Sequence, residues 1–215
     1  MTDGHLREEL VRCARKLLSS GLVRGTSGNL SARGEALETC LVTPSGVDYE
    51  TMRPDDIVLV DLDGRPRGRG MKPSVDTPVH AAIYRTRPDV GACIHTHSIY
   101  AAAFSTVHRP IPPLLAEAAG VLGGGVRVLD YVPPAREDTG EIVAAGLGRD
   151  QAVLLPNHGV IVVGDDLNQA LAAAMAVEES AHAAFLAHQL GDPRPVQDAE
   201  IARLHDFIRN RYGQR

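Results

Sequence analysis

Two histidines set two positions apart close a short apolar run, Val-Gly-Ala-Cys-Ile-His-Thr-His over residues 90–97. A strand there puts His95 and His97 on one face, about 6.6 Å apart along the backbone. A third histidine, His158, closes a second run over residues 151–158 and reads as the end of a second buried strand. Gly159 follows it and permits close backbone approach. Three neutral imidazoles converging from two strands form a shell for a catalytic divalent metal, with one position left open for water or substrate. The ordinary reading of a lone histidine is surface or packing, and we take it for His5, His80, His108, His182, His188 and His205. His95 and His97 depart from it, because two unliganded imidazoles on an apolar strand face would each need buried hydrogen-bond partners.

Asp76, just before Thr77 and Pro78, has two readings. It is either a helix N-cap or a general base beside the metal, taking a proton from a substrate hydroxyl. Two polar glycine turns, one with Thr26, Gly28 and Asn29 and one with Thr43, Ser45 and Gly46, join Ser74 in the first half of the chain. Each is a plain turn, or together they form a nest that holds an anion through backbone N–H groups and hydroxyls.

Positioning these residues takes an alternation of helices and strands. Apolar positions at helical spacing over residues 7–20 predict an amphipathic opening helix ended by Gly21. Strands at 38–43 and 56–61, joined by short turns, predict antiparallel pairing. A helix follows from Thr77 through Arg87, then the strand of His95 and His97, and a helix over residues 99–105. A strand at 125–129 and a helix at 139–147 lead into the His158 strand and its continuation to Gly164. An alanine-rich helix runs over residues 167–190, and a last helix over residues 199–210 precedes a tail with Tyr212.

Composition narrows the partners. Twenty-two basic against 27 acidic residues give a net charge of -5, and with 4% aromatic residues this speaks against nucleic acid. No apolar stretch is read as reaching the roughly 20 residues a bilayer span needs, and the start of the chain lacks signal-peptide character. Three widely spaced cysteines, with no Cys-x-x-Cys pair, fit neither a disulfide framework nor a thiolate zinc site. The expectation is one cytoplasmic domain over residues 1–215, acting on a small molecule and binding neither nucleic acid nor membrane.

Six segments in order resemble a known family. They are Gly-Thr-Ser-Gly-Asn-Leu-Ser-Ala-Arg (25–33), Thr-Pro-Ser-Gly-Val-Asp-Tyr (43–49), Pro-Ser-Val-Asp-Thr-Pro-Val-His (73–80), Tyr-Arg-Thr-Arg-Pro-Asp-Val (84–90), His-Thr-His (95–97) and Asn-His-Gly (157–159). Over essentially the whole chain this is similar to the class II aldolase/adducin family, which includes L-fuculose-1-phosphate aldolases and L-ribulose-5-phosphate 4-epimerases. The resemblance implies a three-layer α/β/α fold with a central, mostly antiparallel sheet. It implies a homotetramer with active sites at subunit contacts, and zinc, with manganese or another divalent ion as alternatives, on His95, His97 and His158. The metal of this family grips a ketone and its neighbouring hydroxyl and stabilises the enediolate formed when a carbon–carbon bond breaks.

Against that pattern the chain has four departures. Asp76 stands where the aldolase has its catalytic glutamate, and looks more like the epimerase. Val75 replaces the second of two serines that help bind substrate phosphate. Ala116 and Glu117 stand where an aldolase tyrosine or the epimerase's acid-base aspartate is expected. Tyr212 resembles the aldolase's C-terminal proton donor, with a frayed tail as its other reading. The leading expectation is a metal-dependent aldolase cleaving a small hydroxy-ketone or its phosphate, with Asp76 as base and Tyr212 or Glu117 handling the second proton. Decarboxylation of a hydroxylated acid, 4-epimerisation of a sugar phosphate, and a metal-free adducin-like module are the competing readings.

Overall fold

Seven strands send alternate side chains into two helical layers: β1 (Asn29–Arg33), β2 (Thr39–Val42), β3 (Val58–Asp61), β4 (Ala92–Thr96), β5 (Arg127–Val128), β6 (Ala152–Leu155) and β7 (Gly159–Gly164). The computed structural model describes residues 2–133, 136 and 138–213; residues 1, 134, 135, 137, 214 and 215 lie outside the described set. The strand order is β3-β2-β1-β4-β7-β6-β5, antiparallel throughout except for the parallel β5–β6 pair. This is the three-layer α/β/α architecture with a mostly antiparallel sheet that the sequence led us to expect.

One layer holds α1 (Asp3–Ser19), α3 (Ile99–Thr106), α4 (Ala116–Leu122) and α6 (Leu167–Leu190), with α7 (Asp198–Asn210) stacked on α4. The other holds α2 (Thr77–Thr86) and α5 (Thr139–Leu147). Period-two alternation assigns the strand residues: Leu30, Ala32, Ile94, Val160 and Val162 join the first layer, whereas Cys93, Ile161 and Val163 join the second. Leu10 and Leu17 of α1 are fully buried, each contributing roughly 1.5–3 kcal/mol of transfer free energy. The three cysteines are free and buried, and burial pushes the Cys13 and Cys40 thiols up to about 12, so they act as small apolar side chains.

Three sequence expectations need correction. Residues 151–164 form a tight hairpin, not one strand that continues through His158. Pro156 has no N–H for a ladder, and Asn157 takes a left-handed φ of 55°, so the chain reverses between Leu155 and Gly159. The helix α4 was not expected, since it is only seven residues long and contains Gly120. Packing against α7 forms it, with Gly120 lying close to Leu204 and Ile208. Finally, α6 is long and apolar enough to cross a bilayer by length and composition; here half of its apolar window is buried in the protein, against α1, α3, α4, β4 and β7.

Candidate metal centre and active site

The site lies where the end of β4 meets α2 and the β6–β7 hairpin. His95 is on the same face of β4 as Cys93, toward α2, and is 1% exposed; His97 follows just past the strand end. His158 reaches in from the hairpin turn. The Nε2 atom of His95 is 2.9 Å from that of His97 and 3.3 Å from that of His158. A tetrahedral ion about 2.05 Å from each nitrogen would separate its ligands by about 3.3 Å, so the donor set fits a small divalent cation. His95 Nδ1 donates to the Val160 carbonyl at 3.0 Å, which leaves the Nε2 lone pair facing the cluster. Burial pushes the His95 imidazole down to about 3, against the pull of Asp76, so it stays a neutral ligand at neutral pH. Burial lowers His97 in the same direction, aided by His158.

Local geometry makes this convergence possible. A Cβ at Gly159 would lie 2.3 Å from the Thr96 carbonyl oxygen and 2.9 Å from the His97 ring, so only glycine lets the hairpin close under the histidines. The hairpin tip is tied down by His108, whose Nε2 donates to Asn157 Oδ1 at 2.8 Å, and by the Asn157 N–H donating to the Ser105 carbonyl. Beyond His97, Glu178 of α6 accepts from the N–H groups of Tyr100 and Ala101 and caps α3. Neither His108 nor Glu178 was singled out in the sequence, because their partners are distant in the chain.

Asp76 occupies the N-cap position of α2, yet its side chain makes no capping bond. Its Oδ2 instead accepts from Asn29 Nδ2 at 2.7 Å and lies 3.9 Å from His95 Nε2. Burial opposes its ionisation, but His95 and the Asn29 amide outweigh that and hold the carboxyl below the usual carboxylate range. A cleft whose lining includes Asp76, His95 and His158 together with Val79, Leu129 and Val143 opens beside it.

The polar turns meet next to this corner. Asn29 is the register partner of His95, and a Cβ at Gly28 (φ +112°) would lie 2.7 Å from the His95 carbonyl oxygen. Thr43 is buried: its Oγ1 accepts from the Leu30 N–H, and its carbonyl accepts from the Ser74 N–H. Ser45 N–H donates to the Lys72 carbonyl, and Ser74 Oγ accepts from the Asp76 N–H at 3.3 Å. Gly46 has a left-handed φ of 70°, and Thr26 is exposed. Val75 is 74% exposed beside Ser74. Glu117, exposed on the first turn of α4, and Tyr212, 62% exposed against Phe207, do not line the cleft of their own chain.

Residues 8–185 match the family model described as the class II aldolase and adducin N-terminal domain. The chain belongs to this family. It is 36% identical over 209 residues to the 5-methylthioribulose-1-phosphate/5-deoxyribulose-1-phosphate aldolase of Rhodospirillum rubrum, covering 97% of this chain and 92% of that one. It is 31% identical over 208 residues to the 5-deoxy-D-ribulose 1-phosphate aldolase of Bacillus thuringiensis serovar kurstaki, covering 97% of each. A solved L-fuculose 1-phosphate aldolase superposes with a TM-score of 0.90 at 30% identity, covering 95% of this chain and 96% of that one. This family member is a class II aldolase, a carbon–carbon lyase dependent on a divalent metal.

Proposed function

We propose that this class II aldolase domain, residues 1–215, cleaves a ketose phosphate or a related small hydroxy-ketone, with His95, His97 and His158 holding zinc. The observation that carries this reading is the convergence of three Nε2 atoms, those of His97 and His158 lying 2.9 and 3.3 Å from that of His95, with the Asp76 carboxylate 3.9 Å from the same His95 atom. The divalent ion, zinc or alternatively manganese, supplies Lewis-acid stabilisation of the negative charge that develops on substrate oxygen. Asp76 is the base: ionised and beside the ligands, it can accept the proton of the hydroxyl whose carbon becomes the aldehyde. Asn29, Thr26, Gly28, Thr43, Ser45, Gly46 and Ser74 form the anchor for the anionic end, and the Val79, Leu129 and Val143 wall of the cleft keeps water from the reacting carbon.

Glu117 and Tyr212 are solvent-facing in one chain and so are available to a neighbouring subunit. This supports a homotetramer with sites at subunit contacts, in which one of the two handles the second proton. Val107, Phe185, Leu186 and Leu190 are exposed apolar residues that such an assembly can cover. Three unpaired cysteines support a cytoplasmic enzyme.

Elemental analysis, mass in solution and a substrate panel test this together. We expect close to one divalent ion per chain, a tetrameric mass, and release of an aldehyde and a three-carbon ketone phosphate from ketose 1-phosphates. Turnover only on hydroxylated acids with release of CO2 would replace the aldolase reading with the decarboxylase one, and inversion of a substrate hydroxyl without cleavage would replace it with the epimerase. Less than about a tenth of an equivalent of metal, not restored by adding zinc or manganese, would remove the enzyme reading.

A further inference from the structure

A polar stripe runs down the buried face of α2 and faces a matching pair on β1. Asp76, His80 and Tyr84 are spaced four apart on one helix face, and Asn29 and Ser31 are two apart on the strand face turned toward them. Four contacts link them end to end. The Tyr84 hydroxyl lies 2.8 Å from Ser31 Oγ, and Ser31 Oγ lies 2.6 Å from His80 Nδ1. His80 Nε2 lies 2.6 Å from Asn29 Oδ1, and Asn29 Nδ2 lies 2.7 Å from Asp76 Oδ2. His80 and Ser31 are fully buried, with Tyr84 at 1% and Asn29 at 4% exposure.

We propose that His80 is a positioning residue for the reaction, locking the Asn29 amide with its N–H toward Asp76 so that the carboxylate is held in one orientation beside the three histidines. The proposal rests on Asp76 being the base.

With His80 neutral, only one arrangement of protons satisfies all four contacts. An ionised carboxylate only accepts, so the Asn29 nitrogen must face Asp76 and its oxygen must face His80. That oxygen only accepts, so His80 Nε2 carries the proton. A neutral ring then offers a lone pair at Nδ1, to which the Ser31 hydroxyl donates, and Ser31 in turn accepts from Tyr84. Burial keeps the ring neutral by pushing His80 down to about 4, against the pull of Asp76, and burial keeps the Tyr84 phenol protonated. The far end is closed by Arg33, whose guanidinium lies 4.8 Å over the Tyr84 ring and donates to the Tyr84 carbonyl. An amide that flipped would set oxygen against carboxylate at one end and N–H against N–H at the other. Every link opposes that flip, and successive bonds polarise one another toward Asp76.

The test is a double-mutant cycle on the metal-loaded enzyme, with kcat, KM and metal content measured for Asn29→Ala, His80→Leu and the double variant. We expect His80→Leu to lower kcat about 10- to 100-fold with metal content kept and KM within about twofold, and the double variant to fall no further than Asn29→Ala. His80→Gln, which keeps a donor for Asn29, should restore most of kcat. Losses that multiply in the double variant, or a His80→Leu enzyme with unchanged kcat, overturn the proposal. Should His80→Leu fail to fold, His80→Phe, which keeps a ring but offers Asn29 no donor, takes its place: kcat should drop about 10-fold or more with no further loss in the Asn29→Ala background, and an unchanged kcat overturns the proposal. Asp76→Asn separates the two readings: if it keeps a near-normal rate, the base assignment fails, whereas if it is inactive and the cycle is additive, only the role of His80 fails.

Discussion

The two faces of the central sheet do different work, although the same strands supply both. Toward α1 and α6 the strands present Leu30, Ala32, Ile94, Val160 and Val162, and the helices answer with Leu10, Leu17 and the alanines of α6. Toward α2 the same strands present Asn29, Ser31 and His95, met by Asp76, His80 and Tyr84. Both fully buried histidines among the described residues, His80 and His95, lie on the α2 side. Because the strand period is two, Leu30 can serve the apolar core while Asn29 and Ser31 on either side of it serve the site. Chemistry can therefore vary on one face without unpacking the other.

His95→Ala breaks the polar face most severely. We expect metal below about a tenth of an equivalent and turnover lower by about a thousandfold or more, read by elemental analysis and aldehyde release. Asp76→Asn should keep the metal and still lose about 10²- to 10⁴-fold in kcat. On the apolar face the readout inverts. Leu10→Ala should cost about 2–5 kcal/mol in denaturant unfolding and leave kcat of the folded enzyme unchanged; a large kcat effect there would collapse the distinction between the faces.

Acid should also discriminate the faces. The His80 pKa is near 4 in the native protein and near 6.5 when unfolded, so the unfolded chain takes up the proton first as pH falls. The metal-free protein should then keep its full stability above about pH 6.5 and lose about 3 kcal/mol from His80 alone by about pH 4. His80→Gln should shrink that loss, whereas Leu10→Ala should lower the whole curve without changing its slope. The smallest effect is expected at exposed Val75, where Val75→Ser should lower KM for a phosphorylated substrate about three- to tenfold and leave a non-phosphorylated analogue unaffected.

Local pattern made much of this legible. Apolar periodicity placed α1, α2, β4, α5 and α6 close to where they lie, because burial on one side imposes a period on the chain. The pairing of His95 and His97 followed from the strand period and the apolar run around them, and the glycine after His158 from the closeness of the approach it implied. What local pattern missed depends on partners far away in sequence. Residues 151–164 read as one strand because apolar runs lie on both sides of Asn157 and His158, and only the Pro156–Asn157 reversal and its anchoring by His108 make a hairpin. The role of Asp76 was open between cap and base, since both need only a carboxylate before a helix; contact with Asn29 and the absence of a capping bond come from the docking of α2 on β1. His80 read as an ordinary packing histidine, although its spacing with Asp76 and Tyr84 was visible as a polar stripe four residues apart. The sequence by itself determined which side chains could share a face, because backbone periodicity does that locally. Tertiary structure decided which of those faces meet, because a hydrogen-bonded chain from Tyr84 to Asp76 exists only when a helix and a strand about fifty residues apart are packed together.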